Sequence, residues 1–356
     1  MPANNIRFGY WMPVFGGWLR NVDDEHMEAS WAYTSRLAKR SEQLGFDLSL
    51  IAELNLNDIK GIEAPSLDAW STAAALAAVT ETLELMVAVR PTFHLPALLA
   101  KQAANIDHIS NGRLSLNVVS SWWEQEARMY GVHFEQHDDR YARTSEWLDV
   151  VNGTWSQPSF SHNGKYYTTE ATVLEPKPVR KPRPTIYAGG ESDAAKNLIA
   201  HKCDAYVMHG DAPEHVAVKI ADMRERRARL NLPPMQFGVA GYAFTRETEA
   251  EAKKELDRIT DVQQNAKGFS NYEQWIRGTQ LEKKMSIEEY SVSNRGLRSG
   301  LFGTPQQVQD RIGEFERAGV DLLLLQFSPQ FEEMERFGET VIQHDAPNNH
   351  QRGSNS

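Results

Sequence analysis

The residues best suited to chemistry in this chain are Gly189-Gly190-Glu191-Ser192. They follow a short apolar run, Thr185–Ala188, and precede a stretch with helical spacing, so they read as a β-α turn. Glycines let backbone approach a ligand closely, a helix start offers unpaired N–H groups, and Ser192 can cap or donate. Together these suit a phosphate. The plainer reading is an ordinary turn with a serine cap. A second group, Asn117, Ser120, Ser121, Trp122 and Trp123, ends the apolar run Leu114–Val119. An amide there can bond a polar ring edge, and indoles can stack on a C–H-rich ligand face. Trp11 and Trp18 occupy comparable positions near the start of the chain. Arg20, His94, Arg295 and Arg298 are candidates for an anion clamp, because a guanidinium fork matches the paired oxygens of an oxyanion and a histidine can add a donor. Each arginine alone reads as a solvated charge. Arg295 and Arg298 together, in the loop NRGLRSG, make the stronger case. His133 and His137 lack a third ligand at metal spacing, and HExxH, CxxC, GxSxG and GxGxxG are all absent, so no metal site is expected.

These residues need elements that hold them. Residues 83–123 contain one full β-α-β unit. Leu83–Val89 is a strand buried on both faces, and Pro96 opens a helix whose apolar positions recur at helical spacing. Gly112 suits a left-handed cap, and Leu114–Val119 is the next strand. The same alternation predicts strands at Ile6–Met12, Leu48–Ala52, Thr185–Ala188, Asp204–Val207, Gln236–Phe244 and Asp321–Leu325, eight in all, with helices between them. The helices are expected at 26–44, 67–79, 141–155, 192–201, 213–230, 247–262, 305–318 and 331–342. Phe160–Thr168 reads as a β-hairpin turning at Asn163-Gly164. The expected class is therefore α/β, a (β/α)8 TIM barrel spanning 1–343 as one domain, with chemistry at the carboxyl ends of its strands. Residues 263–300 break the alternation and are expected to be a lid-type insertion. Residues 344–356 are expected to be a polar tail.

Composition excludes several function classes. A net charge of −10 argues against a nucleic-acid or anionic-membrane surface. No apolar run approaches the ~20 residues of a membrane span, and no signal peptide is visible at the start. The single cysteine, Cys203, fits a reducing, cytoplasmic setting and sits beside an apolar run as a buried inert thiol would.

The pattern AxRPxxxxPxxxAxQxAxxDxxSNGRxxxNxV across the β-α-β unit also carries a resemblance, with His137-Asp138-Asp139-Arg140-Tyr141, Tyr187–Ser192, Gly303–Val308, Gly319-Val320-Asp321 and the Glu332-Glu333 helix. It resembles the bacterial luciferase-like flavin-dependent monooxygenases. Within them it is similar to the branch of alkanesulfonate, dimethyl sulfone and sulfoquinovose monooxygenases and the pyrimidine oxygenase. The resemblance implies FMN, used as FMNH2 from a separate NAD(P)H:FMN reductase, with O2 as co-substrate and a homodimer or dimer of dimers. It implies cofactor contacts at Glu53, Asn117, Glu126, Arg140, Tyr141, Gly190, Glu191 and Ser192. It places Asn117 and Thr92 at the flavin edge, with His94 and Arg295 as further catalytic candidates. Trp11, Trp18, Trp122, Tyr242, Arg295 and Arg298 are the expected substrate contacts. The chain departs from the alkanesulfonate pattern: Ser66 stands where those enzymes carry cysteine, and Ala240 and Tyr242 stand where they carry Arg-x-His. The expected reaction is oxidative C–S cleavage of an organosulfonate, best a sulfo-sugar such as sulfoquinovose, giving sulfite and an aldehyde. Oxidation of a sulfone or heterocyclic amide, and a flavin or deazaflavin dehydrogenase, are the alternatives.

Overall fold

In the computed structural model, residues 6–262, Phe269 and 286–343 are described. Eight parallel strands close into a barrel: β1 Arg7–Trp11, β2 Leu48–Ile51, β3 Glu84–Val89, β4 Leu114–Val118, β5 Thr185–Ala188, β6 Ala205–Met208, β7 Gln236–Tyr242 and β8 Leu322–Gln326. Their order around the barrel follows the chain, and β8 closes on β1 with Arg7 opposite Leu322 and Tyr10 opposite Leu325. All eight expected strands are present, each within two residues of its predicted limits. The strands are almost wholly buried because the core fills their inner faces and the helices cover their outer faces.

Local signals explain most boundaries. Pro96 stands at the first turn of helix Pro96–Ile109, and Gly112 follows it at φ +83°, a conformation an L side chain rarely adopts. Thr304 and Gln307 form a reciprocal capping box at helix Pro305–Ala318. Three expectations need correction. The first helix begins at Trp31 rather than residue 26, because Ser30 caps it by accepting from the Tyr33 N–H. The helix expected from 141 begins earlier, at His137. A short helix, Glu124–Met129, was not anticipated. Residues 12–30 therefore form a long connection after β1, and that connection carries Trp18 and Arg20 to the barrel mouth.

The hairpin pairs Phe160–Asn163 with Thr168–Thr172. Of the expected insertion, Phe269 and 286–300 are described, and the rest lies outside the described residues, as does the tail 344–356. The described part forms helix Ile287–Tyr290 and a 3-10 segment, Ser293–Ser299, packed on β7. Among the described residues, no helix is long and apolar enough to cross a membrane.

Candidate active site

A cavity of about 290 Å³ opens at the carboxyl ends of the barrel strands. Its walls include Trp11 and Trp18 from β1 and its loop, Glu53 after β2, and Arg90 after β3. Asn117, Ser121 and Trp122 come from β4 and its loop, Gly189 and Gly190 follow β5, and His209 follows β6. The 286–300 segment closes one side with Tyr290, Ser293 and Asn294. A broader groove at the amino ends holds Arg7, Arg113 and Arg180. Arg7 pairs there with Glu84 at 3.0 Å, and Arg113 is spent on the carbonyls of Ala77, Thr80, Leu83 and Ser110 and the Thr80 hydroxyl. That face holds the barrel together, and the carboxyl-end cavity is the one shaped for a ligand.

The turn Gly189–Ser192 leads from β5 straight into a helix N-terminus. Ser192 caps helix Asp193–Lys202 by accepting from the Ala195 N–H at 3.2 Å. Gly190 has φ +152°, and a Cβ on it would come within 2.6 Å of the Ala195 methyl and 3.2 Å of the Tyr141 hydroxyl. Only glycine fits, and the space it leaves lies between a helix N-terminus and a phenol. Burial pushes the Tyr141 phenol up, so it stays a hydrogen-bond donor. Arg140 beside it is buried, donates to the carbonyls of Ser120 (3.2 Å) and Glu135 (2.8 Å), and lies over the Phe134 ring. No carboxylate bonds it among the described residues. A buried guanidinium without a carboxylate partner is costly unless an anion supplies the charge.

Two further arginines are paired with carboxylates. Arg90 reaches both carboxylate oxygens of Glu126, with Nη2 to Oε1 at 3.0 Å, and its backbone N–H and Nε donate to Glu53. Glu126 is 0% exposed and also accepts from the Asn55 N–H, while Glu53 holds His94 Nε2 at 2.5 Å. Arg20 pairs with Asp58 and lies 4.0 Å over the Tyr290 ring. Its loop is pinned by Glu25, which accepts from the Trp18 and Leu19 N–H groups.

The expected clamp is spent as well. Arg298 makes a two-pronged pair with Glu289 at 2.5 and 2.7 Å. Arg295 is 1% exposed and donates to Glu191 and to His209 Nδ1. Although burial pushes the Glu191 carboxyl up, the cationic groups around it, with Arg295 bonded to it, pull it further down, well below the usual carboxylate range. Tyr242 is wholly buried in a separate cluster with Leu19, Phe244 and Val292. So Trp11, Trp18, Glu53, Asn117, Trp122, Tyr141 and Gly190 meet at the cavity wall. Thr92, His94, Glu126, Arg140, Glu191, Ser192, Tyr242, Arg295 and Arg298 stand outside that wall. Trp18 offers only its ring face, because its Nε1–H is given to Gln330 at 2.7 Å.

Sequence reasoning missed two wall residues, His209 and Arg90. His209 follows β6 as Asn117 ends β4, so the same positional rule could have found it. Arg90 follows β3 directly, so the positional rule that selects Asn117 applies to it as well. Ser121, named among the sequence candidates, holds φ +51°, and its buried Oγ has no partner among the described residues. The unpartnered Ser121 Oγ and Trp11 Nε1, the Gly190 cradle and the unmatched Arg140 are what a flavin mononucleotide would require: donors for a polar ring and a basic end for its phosphate. Among the described residues, no cluster of His, Cys, Asp and Glu could hold a metal ion.

The family described as Luciferase-like monooxygenase matches residues 6–322. The chain belongs to that family. It is 33% identical over 350 residues to an FMNH2-dependent dimethylsulfone monooxygenase of Pseudomonas fluorescens (strain Pf0-1), a match covering 96% of this chain and 95% of the relative. A protein of the same description from Pseudomonas putida is also 33% identical, over 95% of this chain and 94% of its own length. Among solved structures, a long-chain alkane monooxygenase (LadA) superposes with a TM-score of 0.82 at 19% identity, covering 98% of this chain and 94% of that one. That likeness shows the barrel of this luciferase-like protein.

Proposed function

We propose that this luciferase-like monooxygenase takes FMNH2 from a separate flavin reductase and, with O2, oxidises a small neutral organosulfur compound, a sulfone in the first instance. The observation that carries this reading is the charge pairing of the cavity. Arg20 and Arg90 on the wall are matched by Asp58, Glu53 and Glu126, and Arg295 and Arg298 behind it by Glu191 and Glu289. A sulfonate entering here would have to take an arginine from its carboxylate. Leaving a buried charge unpaired costs about 3–5 kcal/mol, against about 1.5–3 kcal/mol for a new charge-assisted bond. A neutral sulfone needs no counter-ion, and Trp11, Trp18 and Trp122 offer apolar surface for its carbon groups. The relatives' sulfone activity supports the same reading. The sulfo-sugar reading keeps the stacking surface but lacks a free clamp.

Bound FMNH2 supplies two electrons for the cleavage of O2, one oxygen atom entering the substrate and the other leaving as water. The chain's own part is to bind and orient. Ser192, Tyr141 and Arg140 would hold the phosphate end, and Asn117 and Ser121 would meet the polar ring. The tryptophans of the mouth exclude water from the reacting centre. Hydroxylation of the carbon beside sulfur gives a centre that expels sulfinate and leaves an aldehyde.

Two outcomes are expected. With an FMN reductase, dimethyl sulfone gives coupled O2 consumption and formaldehyde, whereas octanesulfonate and sulfoquinovose give no sulfite above background. Sulfite from sulfoquinovose would restore the sulfonate reading, and coupled oxidation of uracil alone would move the chain toward the pyrimidine oxygenase. Independently, Ser192→Asp weakens FMNH2 binding at least about tenfold in a fluorescence titration, because aspartate still caps the helix but sets a carboxylate against the phosphate.

A further inference from the structure

His209 stands at the carboxyl end of β6, on the cavity wall, and the flavin-site argument above does not use it. Its Nδ1 lies 2.8 Å from Arg295 Nη2. A guanidinium only donates, so Nδ1 must accept. The same Arg295 nitrogen donates to Glu191, whose Oε1 also lies 3.9 Å from His209 Nδ1 and 3.5 Å from Lys219 Nζ. The imidazole is therefore fixed as the tautomer with its proton on Nε2. With Nδ1 facing a buried cation, a second proton on the ring is disfavoured.

Nε2 takes no protein partner among the described residues, and the side chain is 34% exposed. The strain of this arrangement is visible in the backbone. Asn294 and Arg295 both sit at φ +55°, outside the range most side chains favour. A Cβ on Gly210 would come within 2.3 Å of the Arg295 carbonyl, so glycine after His209 is what lets the 293–299 segment come this close. Two non-glycine residues are held left-handed, and the result is a guanidinium delivered to the back of one histidine.

We propose that His209 is a substrate-positioning donor, a neutral imidazole locked by Arg295 and Glu191 that offers Nε2–H to an oxygen of an uncharged substrate. The proposal deepens the neutral-substrate reading and rests on it for the substrate class. It also accounts for discrimination. A fixed neutral donor favours a sulfonyl or carbonyl oxygen, whereas a free imidazole would charge in mild acid and attract anions. Burial lowers the His209 pKa, with Arg295 and Lys219 acting in the same direction and Glu191 opposing them.

The test uses the full-length enzyme with its reductase. His209→Phe should raise KM for dimethyl sulfone at least about tenfold, with FMNH2 affinity within about twofold of the parent. His209→Gln, whose amide N–H can reach the Nε2 position, should recover most of that loss. Histidine-selective 15N NMR on the protein without substrate should show His209 as the Nε2–H tautomer across pH 5.5–8. Dimethyl sulfone should then shift the Nε2 resonance. In Arg295→Met, His209 should titrate within that range and the enzyme should gain an acid limb in its pH profile. Unchanged KM in His209→Phe, or an Nδ1–H tautomer in the parent, would overturn the donor role. If the parent neither binds nor oxidises dimethyl sulfone while the NMR shows the locked tautomer, the substrate reading fails and the lock stands.

Discussion

Replacing Arg140 by methionine should weaken FMNH2 binding roughly ten- to a hundredfold and leave the ligand-free protein about as stable as before. The first half follows from what the guanidinium does. Hydrogen bonds to charged groups are worth about 1.5–3 kcal/mol, and every 1.4 kcal/mol is a factor of ten. The second half follows from what it lacks. Arg140 is buried against the Phe134 ring and bonds two carbonyls but no carboxylate among the described residues, and burial lowers its pKa, outweighing the opposite pull of Tyr141, Glu124 and Glu135. Removing it takes away a buried charge that no carboxylate bonds directly, which offsets the lost hydrogen bonds. At one fixed concentration, FMNH2 should therefore raise the thermal midpoint of the parent clearly and that of Arg140→Met less, since ligand stabilisation grows with the logarithm of the ratio of free ligand to Kd. Arg140→Lys should fall between them, keeping the charge without the fork. Parent-like affinity in Arg140→Met would place the phosphate elsewhere.

How far such a site can be read from sequence depends on the range of the interactions that make it. The barrel was legible because its determinants are local. Runs such as Leu114–Val118 must be buried on both faces, and Pro96, Gly112 and Gly190 each mark a backbone geometry that few other residues tolerate. The first helix was misplaced for a local reason too: Glu28 and Ala29 continue its pattern, and only the Ser30 cap stops it. Charge pairing was not legible. Arg90 meets a carboxylate 36 residues on, and Arg295 one 104 residues back. Nothing in NRGLRSG distinguishes an arginine reaching into solvent from one bound to Glu191 in the turn after β5. That gap separates an expected sulfonate clamp from a cavity whose cations are already matched.

Glu126 illustrates the same gap at larger cost. Its expected place is at the flavin, yet the carboxylate is fully buried, bonds both terminal nitrogens of Arg90 and accepts from the Asn55 N–H. Glu126→Ala should therefore act first on the fold. Arg90 would keep only Glu53, which already holds His94 and contacts the Arg90 Nε at 3.5 Å. Removing one partner of a buried pair costs about 3–5 kcal/mol, a large share of a typical native margin of about 5–15 kcal/mol. The urea midpoint should drop substantially. Glu126→Gln should lose less, because its carbonyl can still accept from Arg90 or Asn55. Arg90→Met combined with Glu126→Leu should lose less than Glu126→Ala alone, since neither charge is then left stranded, and Glu53 retains the backbone N–H of residue 90 at 2.8 Å. The flavin affinity of whatever Glu126→Ala protein remains folded should be reduced by a smaller factor, through movement of the Arg90 wall. An unchanged urea midpoint with lost FMNH2 binding would reverse the assignment and put this carboxylate on the flavin.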